Sequence, residues 1–233
     1  MNFLIKVLTV VIVLVVSKVV YTKYDTLTTQ EYSTYKISDL PAYSVNQNFE
    51  PNEGASLVSL RNSKGQIFCS GAVISDDYVL TAGHCLMNHD SFIPGISTEE
   101  ITIVDAFDRI ISTGAAAAAL NQRADVGLVK GNFKQFTKSR IMLQAMMLAQ
   151  FIGAAVNCGF PRGEGAACFV TGQFTTHGDA LLAPGLMFFG MSGGPVYNIV
   201  TETIFAVNTA VSDGIIVSPI VGLFAMFEIK VTN

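Results

Sequence analysis

The sequence contains no tryptophan, and only 14% of its 233 residues are charged. Lysine and arginine together number 14 against 18 aspartates and glutamates, which gives a formal net charge of −4. Proteins that bind nucleic acid need a stripe or cluster of basic side chains to neutralise phosphates. No such stripe occurs in the chain, so the sequence predicts no nucleic-acid partner.

Histidine and cysteine are also scarce, with three and four residues. No C-x-x-C pair is present and the histidines lack the spacing of a zinc site, so we expect no metal site and no cofactor. The even number of cysteines, behind an apolar N-terminal segment, favours disulfide bonds and an extracytoplasmic location. Nothing in the sequence specifies an oligomeric state.

A long apolar run lies at residues 3–21, FLIKVLTVVIVLVVSKVVY. Its uninterrupted core, residues 7–16, has about the ten-residue length of a signal-peptide core. Extended to Tyr21, it reaches the length of a marginal membrane-spanning helix whose lysines extend to the headgroups. Residues 1–22 are therefore predicted to be a signal peptide or an uncleaved signal anchor, with the anchor slightly favoured. In either case we expect an N-terminal hydrophobic helix that contacts a membrane.

The rest of the chain divides into a polar segment and a β-rich domain. Residues 23–49 are rich in threonine, serine and tyrosine without a strong period, which is typical of a linker or stalk. Over residues 50–233, short β-branched and aromatic runs alternate with Gly, Asn and Asp turns, which predicts an all-β domain. The five alanines at 115–119 would suit a helix by propensity. Because Gly114 and Asn121 bound them, we interpret this segment as a strand.

Cys158 and Cys168 flank the segment GFPRGEGAA. A hairpin that turns near Gly163 would place them opposite each other on antiparallel strands. We therefore expect a Cys158–Cys168 disulfide. Two buried free thiols are the alternative if the domain faces a reducing compartment.

Ser192 lies in the glycine-rich segment GMSGG, residues 190–194. This segment fits the nucleophile elbow of an α/β-hydrolase, and it also fits the serine loop of another class of hydrolase. An α/β-hydrolase has its catalytic histidine after the serine, whereas all three histidines of this chain precede Ser192. The α/β-hydrolase is therefore excluded. The order histidine, aspartate, serine remains, and His84, Asp125 and Ser192 supply it.

Three segments carry a specific resemblance to a known family. They are FCSGAVISDDYVLTAGHC around His84, ADVGLVK around Asp125 and GMSGGPV around Ser192. In this order they resemble the histidine, aspartate and serine segments of trypsin-like serine proteases, over roughly residues 55–217. The resemblance implies a chymotrypsin-like fold of two antiparallel six-stranded β-barrels, here preceded by the N-terminal hydrophobic helix.

The resemblance also implies the chemistry of the site. His84, Asp125 and Ser192 are the expected catalytic triad, and the backbone N–H groups of Gly190 and Ser192 are the expected oxyanion hole. The partner would be a polypeptide substrate, cleaved by a serine endopeptidase. The alternative is a catalytically inactive module of the same fold that keeps these residues as core, turn and loop residues.

Two further expectations come from the resemblance. Cys69 and Cys85 occupy the positions of the disulfide that closes the histidine loop. The segments on either side of the serine are expected to line the substrate site, and both lack charge. The predicted substrate-binding residues are Leu186, Phe189, Asn208, Thr209 and Ala210, the last three as a strand that pairs with the substrate backbone. Such walls favour a small or medium-sized apolar substrate residue.

The chain departs from the digestive proteases at one informative position. Met191 precedes the serine, where those enzymes have an aspartate that binds the new N-terminus after zymogen cleavage. No basic residue followed by Ile-Val-Gly-Gly occurs near residues 50–57 either. We therefore expect activity without N-terminal activation. The segments AVNTAV and LNQRAD are more similar to HtrA-type and viral members of the fold.

Overall fold

A computed structural model of the protein describes residues 56–87, 100–141, 155–198 and 201–220. They all lie in one of the two compact units of the chain, Pro41–Asn233. The expected hydrophobic helix at 1–22 and the linker at 23–49 fall outside the described residues. No helix within the described ranges has the length and hydropathy needed to cross a membrane.

The first half of the described chain forms a closed six-stranded antiparallel barrel in the order β1-β2-β3-β6-β5-β4. Its closing ladder joins β1 to β4, with Val58 opposite Asp105. Apolar side chains of these strands, many of them β-branched, fill the interior. Val58, Leu60 and Val129 are fully buried. The strands are β1 (Leu57–Arg61), β2 (Ile67–Val73), β3 (Tyr78–Thr81), β4 (Ile101–Asp105), β5 (Ile110–Asn121) and β6 (Val126–Lys130).

The alanine-rich segment is a strand, as expected. It forms part of β5, which pairs with β4 on one side and β6 on the other. Ala115 and Ala119 are buried, while their neighbours between them are more exposed. Pairing on both edges and burial of alternate side chains outweigh the helix propensity of alanine.

The second half is a sheet of seven strands in the order β8-β7-β11-β12-β13-β10-β9. The sheet places the serine loop, residues 190–194, directly before β11. Its strands are β7 (Ala155–Gly159), β8 (Ala167–Val170), β9 (Thr175–His177), β10 (Ala180–Ala183), β11 (Pro195–Asn198), β12 (Thr203–Val211) and β13 (Ile215–Pro219).

The expected second six-stranded barrel is not confirmed, because no ladder among the described residues joins the end strands β8 and β9. In place of a ladder, the segment after β8 forms one hydrogen bond to the residue that follows β10, where the N–H of Gly172 donates to Pro184 O at 2.7 Å. A short, exposed β9 and this irregular link leave the sheet open, whereas the all-β architecture agrees with the expectation.

Buried side chains connect the two halves. An apolar cluster joins Leu80 and Leu128 of the barrel to Val156 and Val207 of the sheet. A hydroxyl cluster adds a polar connection, defined by Ser56, Ser139 and Tyr197. Ser139 Oγ lies 2.5 Å from Ser56 Oγ and 2.9 Å from the Tyr197 hydroxyl. Because the hydroxyls satisfy one another, they are buried without the cost of unpaired polar groups.

Candidate active site

Asp125 lies at the end of the turn that connects β5 to β6. The turn is fixed by the side chain of Asn121, whose Oδ1 accepts the N–H of Ala124 at 3.1 Å. Asp125 itself has a φ of 48°, in the left-handed region that aspartate tolerates better than most residues. This backbone turns its carboxylate towards the end of β3.

The Asp125 carboxylate binds His84 at two points. Oδ2 lies 2.9 Å from His84 Nδ1, and Oδ1 accepts the His84 backbone N–H at 2.7 Å. His84 begins a single turn of 3-10 helix, His84–Leu86, that follows β3. Gly83 permits this approach, since a Cβ at that residue would lie 3.1 Å from Asp125 Oδ1. The pair is only partly exposed, with 35% of the His84 side chain and 22% of the Asp125 side chain accessible.

A disulfide holds the histidine turn to the barrel. Cys85 follows His84 directly and is bonded to Cys69 of β2, so the expected pairing is present in the structure. One ring nitrogen of His84 and the two sulfurs lie within 4.8 Å of one another. Because disulfide sulfurs are not thiolates, this cluster has no thiolate ligand to offer a metal ion.

The second disulfide has the expected hairpin geometry. Cys158 of β7 is directly opposite Cys168 of β8 in the antiparallel ladder, and the two are bonded. The chain turns between them at Pro161–Gly163, where Gly163 has a φ of 76°.

The serine loop packs against the histidine turn. The N–H of Ser70 donates to the Ser192 carbonyl oxygen at 2.7 Å, and Cys85 Sγ contacts the same oxygen at 3.8 Å. Two glycines with positive φ give the loop its shape, Gly190 at 91° and Gly193 at 78°. The structure therefore brings Ser192 beside the residue that follows His84. The Ser192 hydroxyl forms no hydrogen bond within the described part of the chain.

The backbone N–H groups of the loop fall into two sets. Three of them donate within the protein: Met191 to Phe188 O at 3.0 Å, Gly193 to Asn208 O at 2.7 Å and Gly194 to Met191 O at 2.9 Å. Those of Gly190 and Ser192 have no acceptor among the described residues. These are the two donors predicted for the oxyanion hole. Two N–H groups of one loop that have no acceptor within the described residues can donate to a ligand oxygen.

The predicted substrate-binding residues have different surroundings. Leu186 is partly buried and its carbonyl accepts from Asn157 Nδ2 at 2.8 Å, whereas Phe189 is 78% exposed at the edge of the loop. Thr209 and Ala210 are partly exposed. β11 pairs with β12 only as far as Val207. Beyond that point, one edge of β12 has no partner strand in the described part of the chain.

Asn208 differs from the expectation. It is fully buried, and its N–H and carbonyl are bonded to Gly194 O and the Gly193 N–H. Its Nδ2 donates to Cys158 O at 2.9 Å and to Met191 O at 3.3 Å. Asn208 therefore holds the serine loop through hydrogen bonds to three of its residues, and its backbone groups are not available for an added substrate strand.

Sequence reasoning missed one residue of the site, Ser70 of β2. It is fully buried, and its hydroxyl donates to the Gly190 carbonyl oxygen at 2.6 Å and accepts the Phe160 N–H at 3.0 Å. Its carbonyl accepts from Thr81 Oγ1 at 2.7 Å. A serine after a half-cystine carries no distinctive sequence pattern, because its role depends on partners about 90 and 120 residues away.

The charged pair nearest to Asp125 in sequence is Arg123 with Asp179. Arg123 Nε lies 2.7 Å from Asp179 Oδ2, so the turn before Asp125 is connected to the turn between β9 and β10. The hydrogen bond to Asp179, followed by its charge, raises the pKa of Arg123 above its usual value. Both side chains are exposed, so this pair adds little to stability.

His177, in β9, is exposed.

Comparisons with known proteins identify the family that the chain resembles and the fold that it shares. Residues 44–145 match the sequence model of the family described as Trypsin. No curated protein matches the chain in sequence. The resemblance to trypsin-like serine proteases is confirmed, and the all-β structure with its closed barrel fits the chymotrypsin fold.

Solved structures of proteases share this fold. The serine endoprotease from Yersinia pestis is 20% identical with a TM-score of 0.60, covering 76% of this chain and 63% of its own. Rv3671c protease in an inactive form is 16% identical with a TM-score of 0.59, covering 82% and 100%. The HtrA-type protease AlgW with a decapeptide is 14% identical with a TM-score of 0.55, covering 72% and 62%. The chain thus spans less than two thirds of the first and third of these proteins.

Proposed function

We propose that this protein is a serine endopeptidase that hydrolyses peptide bonds through a covalent acyl-enzyme. The observation that carries the proposal is the combination at one place of the Asp125–His84 pair and a serine loop with two unused N–H donors. An aspartate bound to Nδ1 fixes the tautomer in which Nε2 accepts a proton. Two N–H groups that donate to the same oxygen stabilise an oxyanion. A turn or core residue requires neither arrangement.

The reaction follows from these positions. Ser192 Oγ attacks the peptide carbonyl while His84 Nε2 takes its proton, and the Gly190 and Ser192 N–H groups bind the oxygen that becomes negative. The C–N bond then breaks, and His84 returns the proton to the leaving amine. A water molecule, deprotonated by His84, attacks the acyl-enzyme and releases the acid and Ser192. Asp125 stabilises the imidazolium in both halves of the reaction.

The nucleophile is tested with a fluorophosphonate, which reacts with activated serines. The full-length protein should be labelled, and Ser192→Ala should abolish labelling. Ser212→Ala, at an exposed serine of the β12–β13 turn, is the matched control and should be labelled like the wild type. A folded wild type that takes no label would favour the catalytically inactive module.

Activity without N-terminal activation is part of the proposal. Met191 is fully buried against Gly159, where a Cβ would lie 2.8 Å from Met191 Cα. The methionine side chain offers no carboxylate to a new α-ammonium group, and burying such a group unpaired is costly. N-terminal sequencing of the labelled protein checks the point. If every labelled molecule begins with a cut between residues 45 and 57, the enzyme needs activation after all.

An extracytoplasmic location, with membrane contact through residues 1–22, also belongs to the proposal. It is supported by the apolar N-terminal sequence and by two disulfides, which persist in oxidising compartments. Protein taken directly into denaturant with an alkylating reagent should gain no mass at its cysteines. If the anchor is uncleaved, the protein should also stay in the membrane fraction when membranes are extracted at alkaline pH. Alkylation of all four cysteines would contradict the location.

A further inference from the structure

Besides its bonds to Asn208, the loop that forms the proposed oxyanion hole accepts, together with the residue before it, three hydrogen bonds from Ser70 and Arg162. Ser70 donates its backbone N–H to the Ser192 carbonyl and its hydroxyl to the Gly190 carbonyl, at 2.7 and 2.6 Å. The N–H of Arg162 donates to the carbonyl of Phe189 at 2.6 Å. The Ser70 hydroxyl also accepts the Phe160 N–H at 3.0 Å, so it joins the segment before Arg162 to the loop.

These bonds fix both peptide planes on either side of Gly190. The plane between Phe189 and Gly190, which carries the Gly190 N–H, is held through the carbonyl bound to Arg162. The plane between Gly190 and Met191 is held through the carbonyl bound to Ser70. Glycine has wide freedom in φ and ψ, so nothing in its own structure keeps φ at 91°. The direction of the Gly190 N–H therefore depends on these two bonds.

We propose that the Ser70 hydroxyl is a positioning residue that orients the Gly190 N–H for the oxyanion. The inference rests on the proposed protease function. Ser70 is fully buried and acts through Gly190, without touching the substrate. Removal of the hydroxyl leaves the Gly190 carbonyl without its donor and the Phe160 N–H without its acceptor. The Gly190–Met191 peptide then gains freedom to rotate, so the Gly190 N–H is less well directed. The oxyanion loses part of its stabilisation.

The test compares Ser70→Ala with Ser59→Ala in the full-length protein. Ser59 is the matched control, because it is directly opposite Ser70 in the β1–β2 ladder, is equally buried, and donates its hydroxyl to Val104 O instead of the serine loop. The measurement is single-turnover acylation by a p-nitrophenyl ester, which separates the rate constant of acylation from ester binding. Melting temperatures show what each deletion costs the fold.

Loss of a whole oxyanion donor reduces the rate by about 10²–10³-fold, so a misdirected donor should reduce acylation by about 10–100-fold. We expect this loss for Ser70→Ala with unchanged ester binding, and a loss of less than about threefold for Ser59→Ala. Equal rates for Ser70→Ala and wild type, or equal losses in both variants, would overturn the proposal. An inactive wild type would instead count against the protease function.

Ser70→Thr provides a second variant, which decides the question if Ser70→Ala does not fold. Threonine keeps the hydroxyl, so the folded variant should acylate at close to the wild-type rate. A folded Ser70→Thr variant with the slow acylation expected of Ser70→Ala would show that the hydroxyl does not position the loop.

Discussion

One carboxylate sets both the ring and the backbone of the proposed catalytic histidine: Asp125 lies 2.9 Å from His84 Nδ1 through one oxygen and 2.7 Å from the His84 nitrogen through the other. The second bond anchors the first turn residue after β3, so the ring cannot shift without moving the chain. The orientation of His84 is therefore established without help from Ser192.

Asp125→Asn should lower the turnover of the enzyme by about 10⁴-fold while leaving it folded. Asparagine tolerates the positive φ at this position and can still accept the His84 backbone N–H, so the turn is kept. Its NH₂ group then faces Nδ1, which favours the wrong tautomer of the ring. Steady-state hydrolysis of an ester and the melting temperature together check this prediction.

The control is Asp179→Asn, which removes an exposed carboxylate bonded to the turn before Asp125. We expect nearly wild-type turnover for this variant. If Asp179→Asn and Asp125→Asn lose activity equally, the loss reflects general electrostatics and the triad role of Asp125 is incorrect.

Gly193→Ala should unfold the serine loop. A Cβ at this glycine would overlap Thr81 Oγ1 and would lie 2.5 Å from Ser70 O and 2.6 Å from Ala82 N. Gly65 is a matched control, since its φ of 75° is similar but a Cβ there meets nothing within 4 Å. Gly65→Ala should lower the free energy of unfolding by about 1–2 kcal/mol through backbone strain. Gly193→Ala should lower it by about 1–3 kcal/mol more and should also abolish fluorophosphonate labelling. Equal melting temperatures for the two variants would refute the predicted overlap.

The two disulfides should differ in their effect on catalysis. Cys69 and Cys85 are separated by 16 residues and Cys158 and Cys168 by 10, so paired alanine variants should each lose about 2–4 kcal/mol of stability. The first pair adjoins His84 itself, whereas the second closes the hairpin whose Phe160 and Arg162 N–H groups hold the serine loop only from outside. At a temperature where both variants are folded, we therefore expect loss of the first pair to slow acylation more than loss of the second. Chemical denaturation and acylation rates are the measurements. Faster loss of activity in the Cys158–Cys168 variant would reverse this assignment.

Cleavage should occur after small or medium-sized apolar residues, because no charge lies among residues 186–189. A peptide library read by mass spectrometry gives the preference directly. Leu186→Asp should shift it towards arginine and lysine, since a partly buried carboxylate attracts a cation. Val211→Asp adds the same charge at an exposed position of β12 and should change little. Dominant cleavage by the wild type after Arg, Lys or Glu would contradict the proposed pocket.

Local signals in the sequence were enough to name the candidate triad, which stays a prediction, and to predict a hairpin and a strand that the structure contains. The order of His84, Asp125 and Ser192, the hairpin between Cys158 and Cys168, and the alanine strand each depend on neighbouring residues or on a motif. Ser70 and Asn208 could not be assigned in this way. Their roles come from hydrogen bonds across 120 and 50 residues of chain, which only the folded structure brings together. The open second sheet likewise depends on one irregular link.

The hydroxyl cluster has a consequence for how the protein is made. Synthesis proceeds from the N-terminus, so the strands of the closed barrel leave the ribosome first. Ser56 and Ser139 are 83 residues apart, and Tyr197 comes 58 residues after Ser139. In a barrel that forms early, the Ser56 and Ser139 hydroxyls therefore stay hydrated until β11, the strand that follows the serine loop, has been synthesised. Completion of the fold and assembly of the candidate triad thus both depend on the same late stretch of the growing chain.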